Sequence, residues 1–405
     1  MALKEGRSKI RWDFFKDDEM DFQFARTLAV MSEKGAEIGE CFKVKRTVKK
    51  GGMKPLSEAW AKLASFIETE GKYQEKTGNL SSAHDSFLRA SNYYRSAMTC
   101  LSPLDTEHYS NWKSAKECFE KAGLLSNKPF EYIKIPFENG FLPCYFLQPN
   151  FDKVERPTVI VVTGGEGTAM EMYFWCAGEG LRRNYNIFLC ELPGNPSTLY
   201  NNPSLTLRAD IEVPMKNVLD YLESSKLVDN EKIAIIGYSA GGYFASRTAA
   251  FDKRIKALIP NSPLRDIHGM FTAVFPKFLL NRHSFAIIEP LVQRFANESI
   301  KSTIELVLWE SGINNFFDLV DLTKQASLVD LEKNISCPTF ALCGEGEGKA
   351  FLKQANSFIN NISSKTKKLR VFTLEEGAGA HCQIDNLTLA QNAIYDWLDS
   401  IFECA

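Results

Sequence analysis

Ser239 is the residue of this sequence whose surroundings best suit it to nucleophilic chemistry. It lies in Gly237–Gly241, which reads Gly-Tyr-Ser-Ala-Gly, after the apolar run Ile233–Ile236 and before small residues compatible with a helix. This pattern predicts a strand, a tight turn and a helix. The glycines at both ends lack the Cβ atoms that would collide in such a turn, so we expect a strained serine with its Oγ raised above the sheet edge. The alternative is a glycine-rich turn whose serine has no chemical role.

A serine hydroxyl needs a base to take its proton, and histidine is the usual base because its pKa lies near neutrality. The five histidines are His84, His108, His268, His283 and His381. The first two fall in a helical N-terminal region and the next two in a long segment after residue 261. His381 follows the last predicted strand on a short loop, and a helix predicted over Asn386–Phe402 comes next. We therefore predict His381 as the base, the alternative being a histidine of a surface loop.

The third member of such a triad is an acid that orients the histidine, expected between the serine and the histidine in chain order. The predicted strand Thr339–Cys343 runs into Gly-Glu-Gly-Glu-Gly, residues 344–348. In the fold with this chain order the acid follows the first glycine by about three residues, which selects Glu347. Glu345 is the close alternative and Asp266 a more distant one. A polar glycine-rich turn without function is the remaining interpretation.

Two backbone N–H groups must stabilise the oxyanion that forms when a carbonyl is attacked. The amide of Ala240, directly after the serine, is the first candidate. The second is expected from the loop Gly164–Thr168, after the predicted strand Thr158–Thr163, and Gly165 and Glu166 are the candidates. Its glycines let the backbone approach the serine closely. Because no Gly-Lys-Ser or Gly-Lys-Thr follows, we set aside a phosphate-binding loop.

The elements that must position these residues change character near residue 130. Before it, apolar spacing predicts helices over Leu56–Glu70 and Tyr109–Ala122, with a third that Ser81 or Ser82 would cap and that would run through Cys100. After it, short apolar strands alternate with helices. They are predicted at Tyr132–Pro136, Leu142–Leu147, Thr158–Thr163, Asn186–Glu191, Lys232–Ile236, Ala257–Pro260, Thr339–Cys343 and Leu369–Thr373. This predicts an α/β fold with a mainly parallel, doubly wound sheet over 130–405, a helical domain over 1–129 and a mostly helical insertion at 262–337.

Composition excludes several classes of function. Of the 405 residues 44% are hydrophobic and 24% charged, and the net charge of −2 provides no field for nucleic acid or an anionic membrane. No apolar signal core follows the N-terminus, and the apolar runs are too short to cross a bilayer. The ten cysteines are scattered without a Cys-x-x-Cys pair, which indicates reduced core residues. We expect a cytoplasmic protein.

With these residues in view, the chain resembles the α/β-hydrolase superfamily over about 130–405. The serine turn, the Gly-Gly loop, the Leu-Pro-Gly turn at 192–194 and the terminal Gly-Ala-His at 379–381 occur in order. The helical front, with Ala59-Trp60 and the stretch 87–97, looks like the lid of the branch that includes dihydroxypseudooxynicotine hydrolase, fungal heptaketide hydrolase, bacterial polyketide-shortening hydrolases and FrsA-like proteins. Two departures stand out: Glu347 replaces the expected aspartate, and Asn195-Pro196 stands where relatives often have Gln-Gly.

The resemblance implies a serine hydrolase that cleaves a C–C bond of a 1,3-dicarbonyl or polyketide-like acyl substrate through an acyl-enzyme, in secondary metabolism. The alternatives are an esterase or thioesterase, a cyclising acyltransferase, and, from another class, a non-catalytic FrsA-like regulatory binding protein. A peptidase is disfavoured because the front is helical. The implied partner is a small acyl substrate, with no metal and no organic cofactor, and the resemblance also allows a homodimer. Lid aromatics such as Trp60, Tyr93 and Trp112 are expected in the helical core rather than against a ligand.

Overall fold

The computed structural model describes residues 10–48, 51–274 and 298–404. The elements before residue 130 are the helices α1 (Asp18–Leu28), α2 (Ile38–Thr47), α3 (Met53–Lys76), α4 (Leu80–Met98) and α5 (Thr106–Leu125). The rings of Trp60 on α3 and Tyr93 on α4 stack at 5.4 Å and are fully buried. The prediction that these aromatics are core residues is confirmed.

One helix start was predicted wrongly. Helix α4 begins at Leu80, with Asn79 as its N-cap residue, so Ser81 and Ser82 lie exposed in its first turn and do not cap it. The reason is local: Gly78, at φ +79°, already makes the turn that ends α3, and the chain enters the next helix at once.

The chain then forms one sheet of eight strands. They are β1 (Phe130–Phe137), β2 (Gly140–Leu147), β3 (Arg156–Thr163), β4 (Asn186–Cys190), β5 (Val228–Tyr238), β6 (Ala257–Asn261), β7 (Thr339–Gly344) and β8 (Lys367–Phe372). The strand order is β1-β2-β4-β3-β5-β6-β7-β8. Strand β2 pairs antiparallel with both β1 and β4, and every other pairing is parallel. The predicted strands and the mainly parallel sheet are confirmed.

Helices cover both faces of this sheet. They are α6 (Ala169–Met172), α7 (Gly178–Arg182), α8 (Pro196–Asn201), α9 (Glu212–Glu223), α10 (Gly241–Phe251), α11 (Ile267–Val274), α12 (Glu298–Ser311), α13 (Phe316–Gln325), α14 (Lys349–Asn361) and α15 (Leu387–Phe402). Short 3-10 turns occupy Met31–Glu33, Glu332–Asn334, Glu345–Glu347 and His381–Gln383, and a π turn occupies Tyr173–Ala177.

The two faces of the sheet bury separate apolar cores because strand side chains alternate. Val159 and Val161 of β3 belong to a core that also contains Trp60 and much of the N-terminal helices. Ile160 and Val162 point to the other core, which contains residues of α9 and α10. The N-terminal helices therefore share a core with one face of the sheet, in a position consistent with a lid.

The segment after β6 contains the helices α11, α12 and α13, joined by irregular stretches, where it is described. Residues 275–297, including His283, lie outside the described residues. Helix α12 is fixed to the loops beside the sheet, because Leu207 N donates to Glu310 O at 2.7 Å. The domain limits at 129 and 130 and the insertion at 262–337 remain predictions.

In the described ranges, no helix combines the length and the apolar character that a membrane crossing needs. All ten cysteines are free, and eight of them are buried.

Candidate active site

The turn that carries Ser239 is as tight as its sequence predicts. Ser239 has φ +58°, which is a strained conformation for a residue with a side chain. A Cβ on Gly237 would lie 1.9 Å from Gly241 O, and a Cβ on Gly241 would lie 2.6 Å from Val162 O. Only glycine fits at these two positions. The turn is held from β6, because Ser239 N donates to Asn261 O at 2.6 Å.

His381 lies between Ser239 and Glu347. Its Nε2 is 3.0 Å from Ser239 Oγ, and its Nδ1 makes a short hydrogen bond with Glu347 Oε1. The imidazole is buried, with 6% of the residue exposed. When Nδ1–H donates to the carboxylate, the lone pair of Nε2 faces the serine hydroxyl, which is the tautomer that a general base requires.

Glu347 is fully buried and is held by three further donors. Ser262 Oγ donates to Oε1 at 2.6 Å, while Cys343 Sγ at 2.8 Å and Gly344 N at 3.1 Å donate to Oε2. Burial by itself would raise the pKa of Glu347. The positive charge of His381 and these hydrogen bonds outweigh burial and hold the pKa of Glu347 below its ordinary value.

The pKa of His381 moves in the opposite direction. Burial favours the neutral imidazole, but Cys382 and Glu347 beside the ring outweigh it and raise the pKa of His381 above its ordinary value. The Glu347–His381 pair is therefore polarised toward carboxylate and imidazolium, which is the charge distribution that an attacking serine needs in the transition state.

The two alternative acids lie elsewhere. Glu345 Oε2 accepts from Leu374 N at 3.0 Å, and Asp266 Oδ1 accepts from Gly269 N at 2.9 Å. Of the three carboxylates considered from the sequence, Glu347 is the one that contacts His381. The catalytic roles of these residues stay predictions, but their convergence in space is a property of the structure.

The other three histidines in the described ranges bind partners away from the serine. His84 Nδ1 is 2.9 Å from Asp85 Oδ1, and His268 Nδ1 is 2.9 Å from Thr323 Oγ1. His108 makes a short hydrogen bond with the hydroxyl of Tyr200. Among the histidines in the described ranges, His381 is thus the one in contact with Ser239.

The loop after β3 packs directly on the serine turn. A Cβ on Gly164 would lie 2.6 Å from Ala240 N, so glycine is required for this approach. Asn195 Nδ2 donates to Gly164 O at 3.0 Å, and its Oδ1 accepts from Leu192 N at 2.8 Å. The unusual Asn195 of the Leu-Pro-Gly turn therefore ties that turn to the loop.

The amide of Glu166 already binds a side-chain oxygen from another element. Glu166 N donates to Oε1 of the buried Glu310, on α12, at 2.5 Å. The other Glu310 oxygen would lie 3.1 Å from a Cβ placed on Gly165. This arrangement indicates that the loop backbone faces a space suited to an anionic oxygen.

Three residues near the site were missed by the sequence analysis, namely Arg26, Ser262 and Glu310. Ser262 had a usable signal, because it directly follows β6 and the carboxyl ends of neighbouring parallel strands meet at one sheet edge. Arg26 and Glu310 had none, since each reaches the loop from a helix distant in sequence.

The comparisons with known proteins agree with this architecture. The model of the prolyl oligopeptidase family matches residues 215–283, which contain the serine turn. The 20-hydroxy-prefusarin hydrolase of Gibberella moniliformis is 27% identical over 96% of this chain and 97% of its own length. The hydrolase LUC6 of a Fusarium species has the same identity and coverage.

A solved structure extends the likeness to the whole fold. The crystal structure of 2,6-dihydroxy-pseudo-oxynicotine hydrolase superimposes with a TM-score of 0.73, at 19% identity, over 92% of this chain and 95% of that one. The superposition includes the N-terminal helices, because it covers nearly the full length of both chains. The fold expected from the sequence is confirmed.

Proposed function

We propose that this hydrolase of the α/β-hydrolase fold cleaves a C–C bond of a 1,3-dicarbonyl or polyketide-like acyl substrate, namely the bond from one carbonyl carbon to the carbon between the two carbonyl groups. Ser239 is the nucleophile, His381 the general base and Glu347 the acid that orients it. The observation that carries the proposal is the continuous contact from the Glu347 carboxylate through the imidazole to Ser239 Oγ, with 3.0 Å between Nε2 and Oγ.

In the first half of the reaction, Ser239 Oγ attacks one carbonyl carbon and His381 Nε2 takes the hydroxyl proton. The tetrahedral oxyanion collapses, and the C–C bond breaks with its electron pair leaving as the enolate of the second carbonyl. The proton on Nε2 passes to that enolate, which departs as a neutral ketone. The acyl group stays on Ser239 as an ester.

In the second half, water replaces the enolate. His381 takes a proton from the water as its oxygen attacks the acyl ester, and returns it to Ser239 Oγ when the ester bond breaks. The acid is released and the free enzyme is restored. Esters and thioesters would follow the same steps with an alkoxide or thiolate as the leaving group.

The oxyanion is stabilised by the N–H of Ala240 and by that of Glu166 or Gly165. The contact between Glu166 N and the side chain of Glu310 supports this assignment, since the amide donates there to a carboxyl oxygen from outside the loop. The substrate must replace this carboxylate when the oxyanion forms.

The class of substrate is supported by similarity. The chain matches fungal hydrolases over nearly their full length, one of which is named for 20-hydroxy-prefusarin. The sequence resemblance to a branch that contains C–C hydrolases points to a 1,3-dicarbonyl rather than a simple ester.

Benzoylacetone, a small 1,3-diketone, tests the reaction type, and p-nitrophenyl acetate is the matched ester. The proposal expects hydrolysis of benzoylacetone to a carboxylic acid and a ketone, and covalent labelling of Ser239 by a fluorophosphonate, both lost in Ser239→Ala. Hydrolysis of p-nitrophenyl acetate without hydrolysis of benzoylacetone would contradict C–C cleavage and indicate an esterase. Acyl release by an added alcohol or thiol but not by water would indicate an acyltransferase. An unlabelled, inactive wild-type protein would favour a binding function.

A further inference from the structure

The peptide of Glu166 is held in a conformation that this residue type does not favour. Its φ is +53°, in the left-handed region where residues with a Cβ are uncommon. Its neighbours Gly164, Gly165 and Gly167 give the loop little stiffness of its own. The direction of the Glu166 N–H must therefore be fixed by contacts from outside the loop.

One such contact is the bond from Glu166 N to Glu310, and the others come through the side chain of Glu166 and lead to helix α1. Its Oε1 accepts from Arg26 Nη1 at 2.6 Å and from Gln23 Nε2 at 3.3 Å. The same guanidinium donates to Glu171, with Nε to Oε1 at 2.6 Å and Nη2 to Oε2 at 2.5 Å. Arg26 thus bridges the carboxylate of Glu166, in the loop after β3, and that of Glu171, in helix α6.

This bridge is buried and fixed in geometry. Arg26 is 5% exposed, Glu166 6% and Glu171 1%. An arginine suits the position because its planar fork can serve two carboxylates at once, with all its donors in one plane. A buried carboxylate that lost this partner would be strongly unfavourable, so Glu166 would move, and its backbone with it.

We propose that Arg26 is a positioning residue for the oxyanion donor, and that helix α1 thereby takes part in assembling the catalytic site. By fixing the Glu166 side chain from one side, Arg26 directs the Glu166 N–H toward the reacting oxygen on the other side. The proposal rests on the proposed function, because it needs Ser239 to form an oxyanion. Arg26, a residue of the N-terminal helices that has no contact with the triad, would then affect the rate of the reaction.

A positioning role predicts a particular kinetic pattern. Loss of Arg26 should lower kcat, because the oxyanion exists in the transition state and not in the bound substrate. Removal of a whole oxyanion donor lowers kcat by about 10²–10³-fold. Because a displaced amide retains part of its effect, we expect Arg26→Met to lower kcat by about 10–100-fold, with KM changed by less than about threefold.

The experiment uses the full chain, p-nitrophenyl acetate as substrate and a trifluoromethyl ketone as inhibitor. The inhibitor forms a hemiketal oxyanion on Ser239, so its affinity reports the donor directly. The variants are Arg26→Met, Arg26→Lys, and Arg95→Met as the matched control. Arg95 is equally buried, but it contacts Glu171 at 3.2 Å, Asn92 at 3.1 Å and Ser96 at 2.9 Å. Thermal unfolding of each variant sets the assay temperature below the transition.

The proposal expects Arg26→Met to weaken trifluoromethyl ketone binding by the same factor as kcat, Arg26→Lys to recover part of both, and Arg95→Met to change kcat by less than about threefold. Equal losses in Arg26→Met and Arg95→Met would overturn it, as would a loss confined to KM. If Arg26→Met does not fold, Glu166→Gln removes the charge partner within the loop and should give the same pattern.

Failure of the proposed function would look different. Ser239→Ala with unchanged ester hydrolysis would show that the serine is not the nucleophile, whatever Arg26 does. If Ser239 is required for activity but Arg26→Met has the kcat and inhibitor affinity of the wild type, the positioning role of Arg26 is contradicted and the proposed function is not.

Discussion

The sheet region and the N-terminal helices hold functional groups in different ways. In the sheet region, Ser239 and Glu347 stand on short turns directly after strands, and His381 begins a short turn at the end of the loop that follows β8, so the local backbone sets their positions. The helical region contributes no member of this triad. Its contact with the site is made by long side chains, above all the guanidinium of Arg26, which crosses from α1 to the loop after β3.

In this molecule, backbone turns fix the positions of side chains locally, whereas long buried side chains connect elements that are distant in sequence. A turn fixed by glycines holds a serine with few outside contacts, since no other residue fits. A buried ion pair spans elements that share no turn, but it holds only while both partners stay dehydrated and aligned. We therefore expect activity to depend mainly on the glycine-fixed turns of the sheet region. We expect the N-terminal helices to contribute mainly to the stability of the protein.

The largest effect should come from Ser239→Ala, which removes the proposed nucleophile of the sheet region. We expect turnover to fall by about 10⁴–10⁶-fold with an unchanged circular dichroism spectrum and melting temperature. Steady-state assays with benzoylacetone and p-nitrophenyl acetate measure it. A Ser239→Ala variant with more than a tenth of wild-type activity would show that Ser239 is not the nucleophile.

Glu347→Ala should follow, because it leaves His381 without the carboxylate that orients the imidazole. The expected loss in kcat is about 10²–10⁴-fold. Glu345→Ala is the matched control on the same turn and should behave like wild type, since its carboxylate binds Leu374 N. Reversed behaviour of the two variants would transfer the acid role to Glu345.

The pH profile of the wild-type enzyme should carry the signature of the raised His381 pKa. The imidazole accepts a proton only when neutral, so kcat/KM should rise about tenfold per pH unit up to a midpoint above the ordinary histidine value of about 6.5. Glu347→Gln removes a negative charge from the ring and should lower the midpoint. A wild-type midpoint at or below the ordinary value would contradict the polarised pair.

Ser262→Ala should have a smaller effect, because it removes one of several hydrogen bonds to Glu347. A hydrogen bond to a charged group contributes about 1.5–3 kcal/mol, which corresponds to at most about 10–150-fold in rate. Because the other donors to Glu347 remain, we expect kcat to fall by about tenfold, at the lower end of that range. Ser246→Ala is the matched control, since Ser246 is equally buried and its Oγ has no hydrogen-bond partner among the residues that the structure describes. Equal losses in the two variants would mean that Ser262 acts only through packing.

Leu63→Ala should leave kcat almost unchanged while it destabilises the protein, unlike the substitutions in the sheet region. Leu63 lies in the helical core with 6% of its surface exposed, and its truncation should destabilise the protein by about 2–5 kcal/mol. Measured below the melting transition, kcat should stay within about twofold of wild type. A large fall in kcat would mean that the core of the helical region, and not only Arg26, supports the site.

The sequence was sufficient for those parts of the fold that local patterns specify. The alternation of apolar strands and helices predicted each strand of the sheet, and the Gly-x-Ser-x-Gly turn, the final histidine and the turn after β7 predicted which residues meet. Strand ends in a parallel sheet converge at one edge, so order along the chain is enough to bring Ser239, Glu347 and His381 together.

Contacts between distant helices and loops lay beyond this reasoning. Arg26 and Glu166 are 140 residues apart and Glu310 lies 144 residues beyond Glu166, and no local spacing links either pair. The wrong cap on α4 has a related cause: Ser81 and Ser82 are good capping residues, but the turn at Gly78 started the helix earlier. Side-chain pairing and exact helix starts depend on neighbours that a single sequence does not reveal.

The Glu310 carboxylate on the Glu166 amide has a practical consequence for ligand discovery. An inhibitor that presents an anionic group to this amide must displace the Glu310 side chain, which belongs to the same chain, rather than water. The effective concentration of that side chain depends on how firmly α12 is fixed, here by the bond from Leu207 N to Glu310 O. Screening against Glu310→Ala would therefore recover weak anionic fragments that the native protein hides.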